Sequence, residues 1–235
     1  MLQLVTSPMQ DHPTKNRPKI AAIVPAFNEE KTIGDVVGVL KRSPYLDEVI
    51  VVSDGSQDKT TEVSRAAGAT TIHEFETSAG KGTAMVHGMR HTDAPIIVFF
   101  DADLKGLTTD HIEQLVLPVL SGSRDMNVGL RDKGPILTPI AKRLPLIGGE
   151  RALKRDIIEN IKPNYLRGFM VETALNYYCR IHKRPYGLVE LRGLDIRRKY
   201  EKIGWPKAII AYVDMAFQIV KANVIVRLAR LLGKF

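Results

Sequence analysis

The sequence predicts an α/β fold: a mostly parallel sheet flanked by helices, with a helical C-terminal extension. Three observations predict it. Short β-branched and aromatic runs recur, the clearest being Ile96-Ile97-Val98-Phe99-Phe100. Segments with apolar residues at helical spacing separate them. Each of the first four runs is followed by a polar or glycine-containing cluster. Strands alternating with helices imply parallel strands joined by right-handed crossovers.

Each element has its own signal. Residues 1–18 are polar, with Pro8, Pro13 and Pro18, and read as a flexible lead-in. Lys19–Val24 is a strand that ends at Pro25. Glu29–Arg42 carries Ile33, Val36, Val37 and Leu40 at helical spacing. Glu48–Val52 is a buried strand, and Asp54-Gly55-Ser56 is a turn signal. Asp58–Ala67 is a helix closed by Gly68, Thr70–His73 a third strand, and Gly80–His91 a glycine-started helix. Pro95–Phe100 is the fourth strand.

Past residue 121 the pattern loosens. Asp125–Leu130 reads as a strand, and Asp132–Gly149, rich in Pro and Gly, as a long loop. Glu150–Ile161 and Gly168–Ile181 read as helices, Tyr186–Leu191 as a strand, and Trp205–Phe235 as helical. The expected organisation is a lead-in (1–18), one domain (19–205, halves 19–120 and 121–205) and a C-terminal helical segment (206–235).

Composition bounds the function. A chain of 235 residues with 44% hydrophobic and 26% charged residues suits one globular core with an appendage. No apolar stretch reaches the roughly 18 residues of a membrane span, and the N-terminus does not read as a secretory signal. The single Cys179 excludes an intrachain disulfide and a multi-cysteine zinc site, which fits a reducing cytoplasm. The net charge of +8 is uneven: residues 151–235 hold 18 Lys+Arg against 7 Asp+Glu, the rest 16 against 19. A basic C-terminal third favours phosphorylated or anionic partners. Aromatic residues at 6%, with no basic–aromatic interleaving, argue against nucleic acid.

The chemistry gathers at the strand ends. There, Asp101-Ala102-Asp103 sets two carboxylates one residue apart, suited to a hard divalent cation that holds a diphosphate. Singly, each of the four clusters reads as a cap or a turn; together they point to one shared site. There is no Gly-x-Gly-x-x-Gly after the first strand, and Lys81 precedes Gly82 rather than Ser or Thr. That argues against a dinucleotide oxidoreductase and a P-loop NTPase.

Four strings, in this order and spacing, resemble the family 2 glycosyltransferases and their relatives with the Rossmann-like GT-A fold. They are Ile23-Val24-Pro25-Ala26-Phe27-Asn28-Glu29-Glu30, Val51-Val52-Ser53-Asp54-Gly55-Ser56-Gln57-Asp58-Lys59-Thr60, Gly80-Lys81-Gly82 and Phe100-Asp101-Ala102-Asp103. The resemblance covers roughly residues 19–120 well and the later half more loosely. It implies a nucleotide-sugar-dependent hexosyltransferase, UDP-linked, using Mg²⁺ or Mn²⁺. Pro25, Ala26 and Phe27 would line the nucleotide slot. Glu29 would accept hydrogen bonds from the ribose, and Asp54 would face the base. Ser53 stands where many relatives carry a second acid. Lys81 would meet phosphate, Asp101 and Ala102 the ribose and sugar, and Asp103 the metal.

Two later segments resemble the acceptor side of glucosyl-3-phosphoglycerate synthases. Gly148-Gly149-Glu150-Arg151 would present Gly149 and Arg151 to an acceptor phosphate or carboxylate. Gly168-Phe169-Met170-Val171-Glu172-Thr173 would supply Glu172, as general base or positioning acid, with Asp101 as its catalytic partner. An unpaired Glu172 in so apolar a stretch would be costly, which asks for a role or a buried partner. Relatives often add a histidine as third metal ligand; none stands near Gly193–Arg197, where Asp195 is the substitute, and His182 reads as a surface residue.

The resemblance implies a phosphorylated small molecule or a polyprenyl phosphate as acceptor. In the C-terminal segment the polar face changes sides, which predicts a break near Ala222-Asn223. Its last apolar face, opposite Arg227, Arg230 and Lys234, has the composition of an interfacial helix. It suits peripheral contact at the inner face of a membrane, a homodimer contact, or packing on the sheet. Two other functions stay open: a nucleotidyltransferase on a similar sheet, and a membrane-associated nucleotide-sugar-binding protein without chemistry.

Overall fold

The computed structural model describes residues 17–131, 148–168, 170–196, 217 and 221–232. The chain runs β1 (Ile20–Ala26), α1 (Ile33–Arg42), β2 (Glu48–Asp54), α2 (Thr60–Ala66), β3 (Thr71–Phe75), α3 (Lys81–Arg90) and β4 (Ile96–Phe99). It continues through β5 (Leu104–Lys105), α4 (Thr109–Leu120), β6 (Met126–Arg131), β7 (Arg151–Lys154) and α5 (Arg155–Glu159). A 3-10 turn at Pro163–Tyr165 leads to α6 (Met170–Ile181), β8 (Tyr186–Leu191) and β9 (Asp195–Ile196), and residues 221–231 form α7.

Seven strands make one sheet in the order β3-β2-β1-β4-β7-β6-β8. Strands β1 to β4 are parallel, β8 is parallel to β6, and β7 runs antiparallel between β4 and β6. This is the mostly parallel, helix-flanked sheet that the sequence predicts. A short antiparallel pair, β5–β9, lies beside it.

The central strands are buried on both faces, so their apolar runs split by alternation. On one face Ile20, Ala22 and Val24 of β1 join Val49, Val51, Ile96 and Val98 and pack against Val36, Val37 and Leu40 of α1 and Ile112, Leu115 and Val116 of α4. On the other, Ala21, Ile23, Ile50, Val52, Ile97 and Phe99 meet Met85 and Met89 of α3 and Val171, Ala174 and Leu175 of α6. The sheet is therefore clamped between two helical layers, and its strand ends are held in fixed positions.

One element differs from the sequence reading, and α4, β5 and β9 lie where it names none. Glu150–Ile161 reads as one helix, but its first part is β7, and only Arg155–Glu159 is helical. Arg151, Ala152 and Leu153 are all buried between β4 and β6. A buried run of three residues has no period by which to tell strand from helix. Helix α4 carries a weak start signal in sequence. Its capping box is built from the Thr108 hydroxyl and the His111 ring, where a Glu or Gln is usual, and Pro118 stands inside it.

An ion-pair cluster locks β7 to its neighbours. Asp125 pairs with Lys154 at 2.6 Å and with Arg184, and Arg184 reaches Asp156 at 2.7 Å. Helix α7 includes Ala222 and Asn223, and residues 218–220, beside which the break is expected, lie outside the described residues. The helix buries Ala222, Val226 and Ala229, with Val226 in the second core cluster, while Val224, Leu228, Leu231 and Leu232 stay exposed. Most of the expected lead-in (1–16), most of the expected loop (132–147) and most of 197–220 lie outside the described residues. Among the described residues, no helix is long and apolar enough to cross a membrane.

Phe99 is fully buried under α3 and α6, so Phe99→Ala should lower the unfolding free energy by about 3–5 kcal/mol. Urea denaturation, with an unchanged slope, measures this.

Candidate active site

The loops after β1, β2 and β4 meet the start of α3 at the C-terminal edge of the sheet, around a cleft of about 660 Å³. Its lining includes Pro25, Ala26, Phe27, Glu29, Asp54, Lys81, Asp101, Ala102 and Asp103. Neighbouring loops are stitched to each other. The Asn28 amide donates to Ser56 Oγ, and the Gln57 amide donates to Asn28 Oδ1 at 2.8 Å. The Glu30 amide donates to Asp58, and the Lys59 amide to Glu30. Glu29 is buried, with its amide on Thr60 Oγ1 and its carboxylate receiving the Thr32 hydroxyl. Phe27 leaves 51% of its surface open, an apolar wall over the cleft.

Asp54 is the hinge between β2 and α3. Its carboxylate accepts from the Ala79 and Gly80 amides at 2.7 and 2.9 Å and from Ser78 Oγ at 2.8 Å. These bonds fix the loop that starts α3 and so aim Lys81. Asp54 lines the cleft, but its oxygens are engaged by this loop. Ser53 is buried beside it.

Lys81 sits at the centre of the charge. Its ammonium lies 2.6 Å from Asp101 Oδ1 and 3.4 Å from Glu172 Oε1. Burial alone would lower its pKa; Asp101 and then Glu172 outweigh that and hold it above the usual lysine range. Glu172 thus has the charged partner that its apolar surroundings require. Gly82 allows this approach, because a Cβ there would overlap the Leu166 carbonyl of the segment leading into α6.

Strand β7 brings a second set of charges. Glu150 is fully buried, and neither of its carboxylate oxygens has a hydrogen-bond partner. Arg131, at the end of β6, lies 3.8 Å from Glu150 and 4.0 Å from Asp101. Burial pushes the Glu150 carboxyl up to about 7, with Asp101 adding to the rise against the pull of Arg131 and Lys81. Gly149 presses against Asp101: any Cβ there would overlap the carboxylate. Gly149 is therefore where the segment leading into β7 comes into contact with Asp101.

The structure places two further expected residues. Arg151 is not among the residues that line the cleft. It is fully buried, donates to the Gly148 carbonyl at 2.6 and 3.3 Å and approaches the Glu172 carbonyl at 3.5 Å. It holds the Gly148-Gly149 turn against α6. Asp195, expected as a further metal ligand, lies on β9, which pairs with β5 just after Asp103. It is exposed, opposite Lys105 in the β5–β9 pair, and accepts from the Ile196 amide. His182 is exposed and stacks on Tyr178. Phe169 lies outside the described residues.

Arg131 and Glu150 are the site residues that sequence reasoning missed. Arg131 looks like any strand-ending arginine. Glu150 stands in the Gly148-Gly149-Glu150-Arg151 segment, beside the arginine that carries the resemblance. The donor set fits a hard cation: Asp101 and Asp103 line the cleft with carboxylate oxygens only. Among the described residues, no cluster of three potential ligand side chains includes Asp103.

Comparison with known proteins gives a consistent picture. The family model described as glycosyl transferase family 2 matches residues 21–180. An uncharacterized protein of Methanocaldococcus jannaschii is 37% identical over 139 residues, 57% of this chain and 56% of that protein. The 4,4'-diaponeurosporenoate glycosyltransferase of Staphylococcus aureus is 35% identical over 105 residues, 43% of this chain and 28% of that enzyme. The chain thus spans about half the length of the first relative and under a third of the second. Glucosyl-3-phosphoglycerate synthase of Mycobacterium tuberculosis, crystallised with Mn²⁺, UDP-glucose and phosphoglyceric acid, superposes with a TM-score of 0.68 at 25% identity. That match covers 87% of this chain and 78% of the synthase.

The Glu150 carboxyl titrates higher folded than unfolded, so its contribution to stability is full below about pH 4.5 and is lost as pH rises through about 7. Glu150→Gln should remove that part of the pH dependence, up to about 3 kcal/mol. Unfolding measured at pH 5, 6, 7 and 8 tests this; parallel curves for both proteins would refute it.

Proposed function

The chain belongs to glycosyl transferase family 2, and we propose that it moves a hexose from a nucleotide sugar, UDP-linked, to a phosphorylated acceptor. The observation that carries this reading is the Lys81–Asp101–Glu172 cluster at the mouth of the cleft, with Asp103 beside it. An ammonium held between two carboxylates is positioned to receive a diphosphate. Asp103, with Asp101 next to it, would hold Mg²⁺ or Mn²⁺. When bound, the cation offsets negative charge on the departing nucleotide diphosphate.

The chain's own residues do the rest. The nucleotide lies over Pro25 and Ala26, with the Phe27 ring as its apolar wall. Glu29 accepts from the ribose hydroxyls. Ser53 and Asp54 shape the base end, Asp54 chiefly by fixing the 78–80 loop. Lys81 turns from Asp101 to the phosphates, which frees the Asp101 carboxylate to face the sugar with Ala102. Glu172 orients the acceptor oxygen, or takes its proton where the outcome is inversion. Arg131, partly exposed beside Asp101 and Glu150, is the cation that would meet acceptor phosphate in place of Arg151. Gly149 keeps that approach open.

The acceptor is either a phosphorylated small molecule or a polyprenyl phosphate. The synthase structure was crystallised with phosphoglyceric acid, and the staphylococcal enzyme is named for 4,4'-diaponeurosporenoate. The exposed Val224, Leu228, Leu231 and Leu232 of α7, with Lys221, Arg227 and Arg230 nearby, favour the lipid acceptor and peripheral contact with an anionic inner membrane face. A homodimer through the same face is the rival arrangement.

The first test is a thermal-shift panel of UDP-, GDP- and ADP-sugars, with and without Mn²⁺. A Mn²⁺-dependent rise with UDP-sugar that is lost in Asp103→Ala is expected. Absence of a rise with every nucleotide sugar would remove the donor assignment. In transfer assays, Glu172→Gln should lower kcat by about 100-fold or more. Flotation with vesicles containing anionic lipid should retain the wild type and release Leu228→Glu/Leu231→Glu; a shift of the wild type alone to dimer mass, without vesicle binding, would favour the dimer.

A further inference from the structure

Three histidines meet at the end of α3 remote from the cleft. His73 lies on β3, the edge strand of the sheet, while His87 and His91 lie one turn apart at the C-terminal end of α3. The ring centroids are 3.9 Å apart for His73–His91, 4.4 Å for His87–His91 and 4.8 Å for His73–His87. One ligand nitrogen from each ring lies within 4.8 Å of the other two. Phe75 closes one side with its ring edge-on to His87.

Two details distinguish this group from ordinary packing. His91 Nδ1 sits 2.8 Å from the His87 carbonyl. A carbonyl only accepts, so Nδ1 carries the proton and Nε2 keeps its lone pair. His73 Nε2 is buried and has no hydrogen-bond partner. A buried imidazole nitrogen without a partner is costly, and a cation bound there would satisfy it together with its two neighbours.

We propose that His73, His87 and His91 form a site for a late first-row divalent cation, for which Zn²⁺ is the probe, distinct from the carboxylate pair of the cleft. Neutral imidazoles suit zinc, copper and nickel, whereas the oxygens of Asp101 and Asp103 suit magnesium and manganese. Zn–N bonds of about 2.1 Å in a tetrahedron set ligand nitrogens about 3.4 Å apart, so the rings close by roughly an ångström. Three protein ligands leave a fourth position, for water, on the side of the exposed His91. The bound ion ties the edge strand to α3. With a rise of about 1.5 Å per residue, it lies some 15 Å along the helix from Lys81, and its role is structural.

The test uses the whole chain, stripped with chelator and dialysed. Wild type and Asp103→Ala should each retain one equivalent of Zn²⁺ and gain thermal stability from it. Co²⁺ in place of Zn²⁺ should give the visible absorption of a tetrahedral site. His91→Gln, altered at an exposed position, should fold normally and bind Zn²⁺ at least 10-fold more weakly; His87→Gln should do the same. Equal Zn²⁺ binding by wild type and both histidine variants would overturn the proposal, as would loss of binding in Asp103→Ala or no Zn²⁺ bound to wild type.

Discussion

The ammonium of Lys81 is the charge on which the site depends. Asp101, Glu172 and Glu150 converge from the end of β4, the first turn of α6 and the start of β7, and like charges this close would repel strongly. Lys81 neutralises the first two directly, and Arg131 serves Glu150 and Asp101 from the other side. The position of Lys81 is in turn fixed by Asp54, whose carboxylate gathers the 78–80 loop at the start of α3. A chain of contacts therefore runs from β2 through α3 to β4 and α6. It places the loops after β2 and β4 and the first turn of α6 against a common charge.

Within the cleft Lys81 is held by carboxylates. In the proposed reaction the ammonium exchanges them for phosphate, and Asp101 is released to face the sugar. Glu150 complements this by taking up a proton more readily than an ordinary carboxyl, which limits the negative charge left at the centre. Arg151, fully buried, spends its donors on the backbone and holds the Gly148-Gly149 turn, so that Gly149 lies against the Asp101 carboxylate.

Much of this was legible in the chain. The strands β1 to β4 announce themselves as apolar runs, because both faces of a parallel sheet are buried. The motifs that follow them could be aligned in order because parallel strands put successive C-terminal ends on one edge. The second half was harder. Strand β7 is too short to show a period, and helix α4 starts on a histidine capping box. Arg131 and Glu150 carry no local signature, since what makes them site residues is the strand that each one neighbours.

The sequence by itself determined the alternation of strands and helices and the edge on which the chemistry gathers. It also determined which residues carry the carboxylates and the lysine of the cleft. Those properties follow from local periodicity and from the order of parallel strands. Only the tertiary structure decided that Arg151 is buried while Arg131 lies beside Asp101, that β9 pairs with the segment after Asp103, and that three histidines 18 residues apart at most come together on one edge. The reason is geometric: side-chain direction and long-range pairing depend on strand register and helix packing, and neither is written in the spacing of residues along the chain.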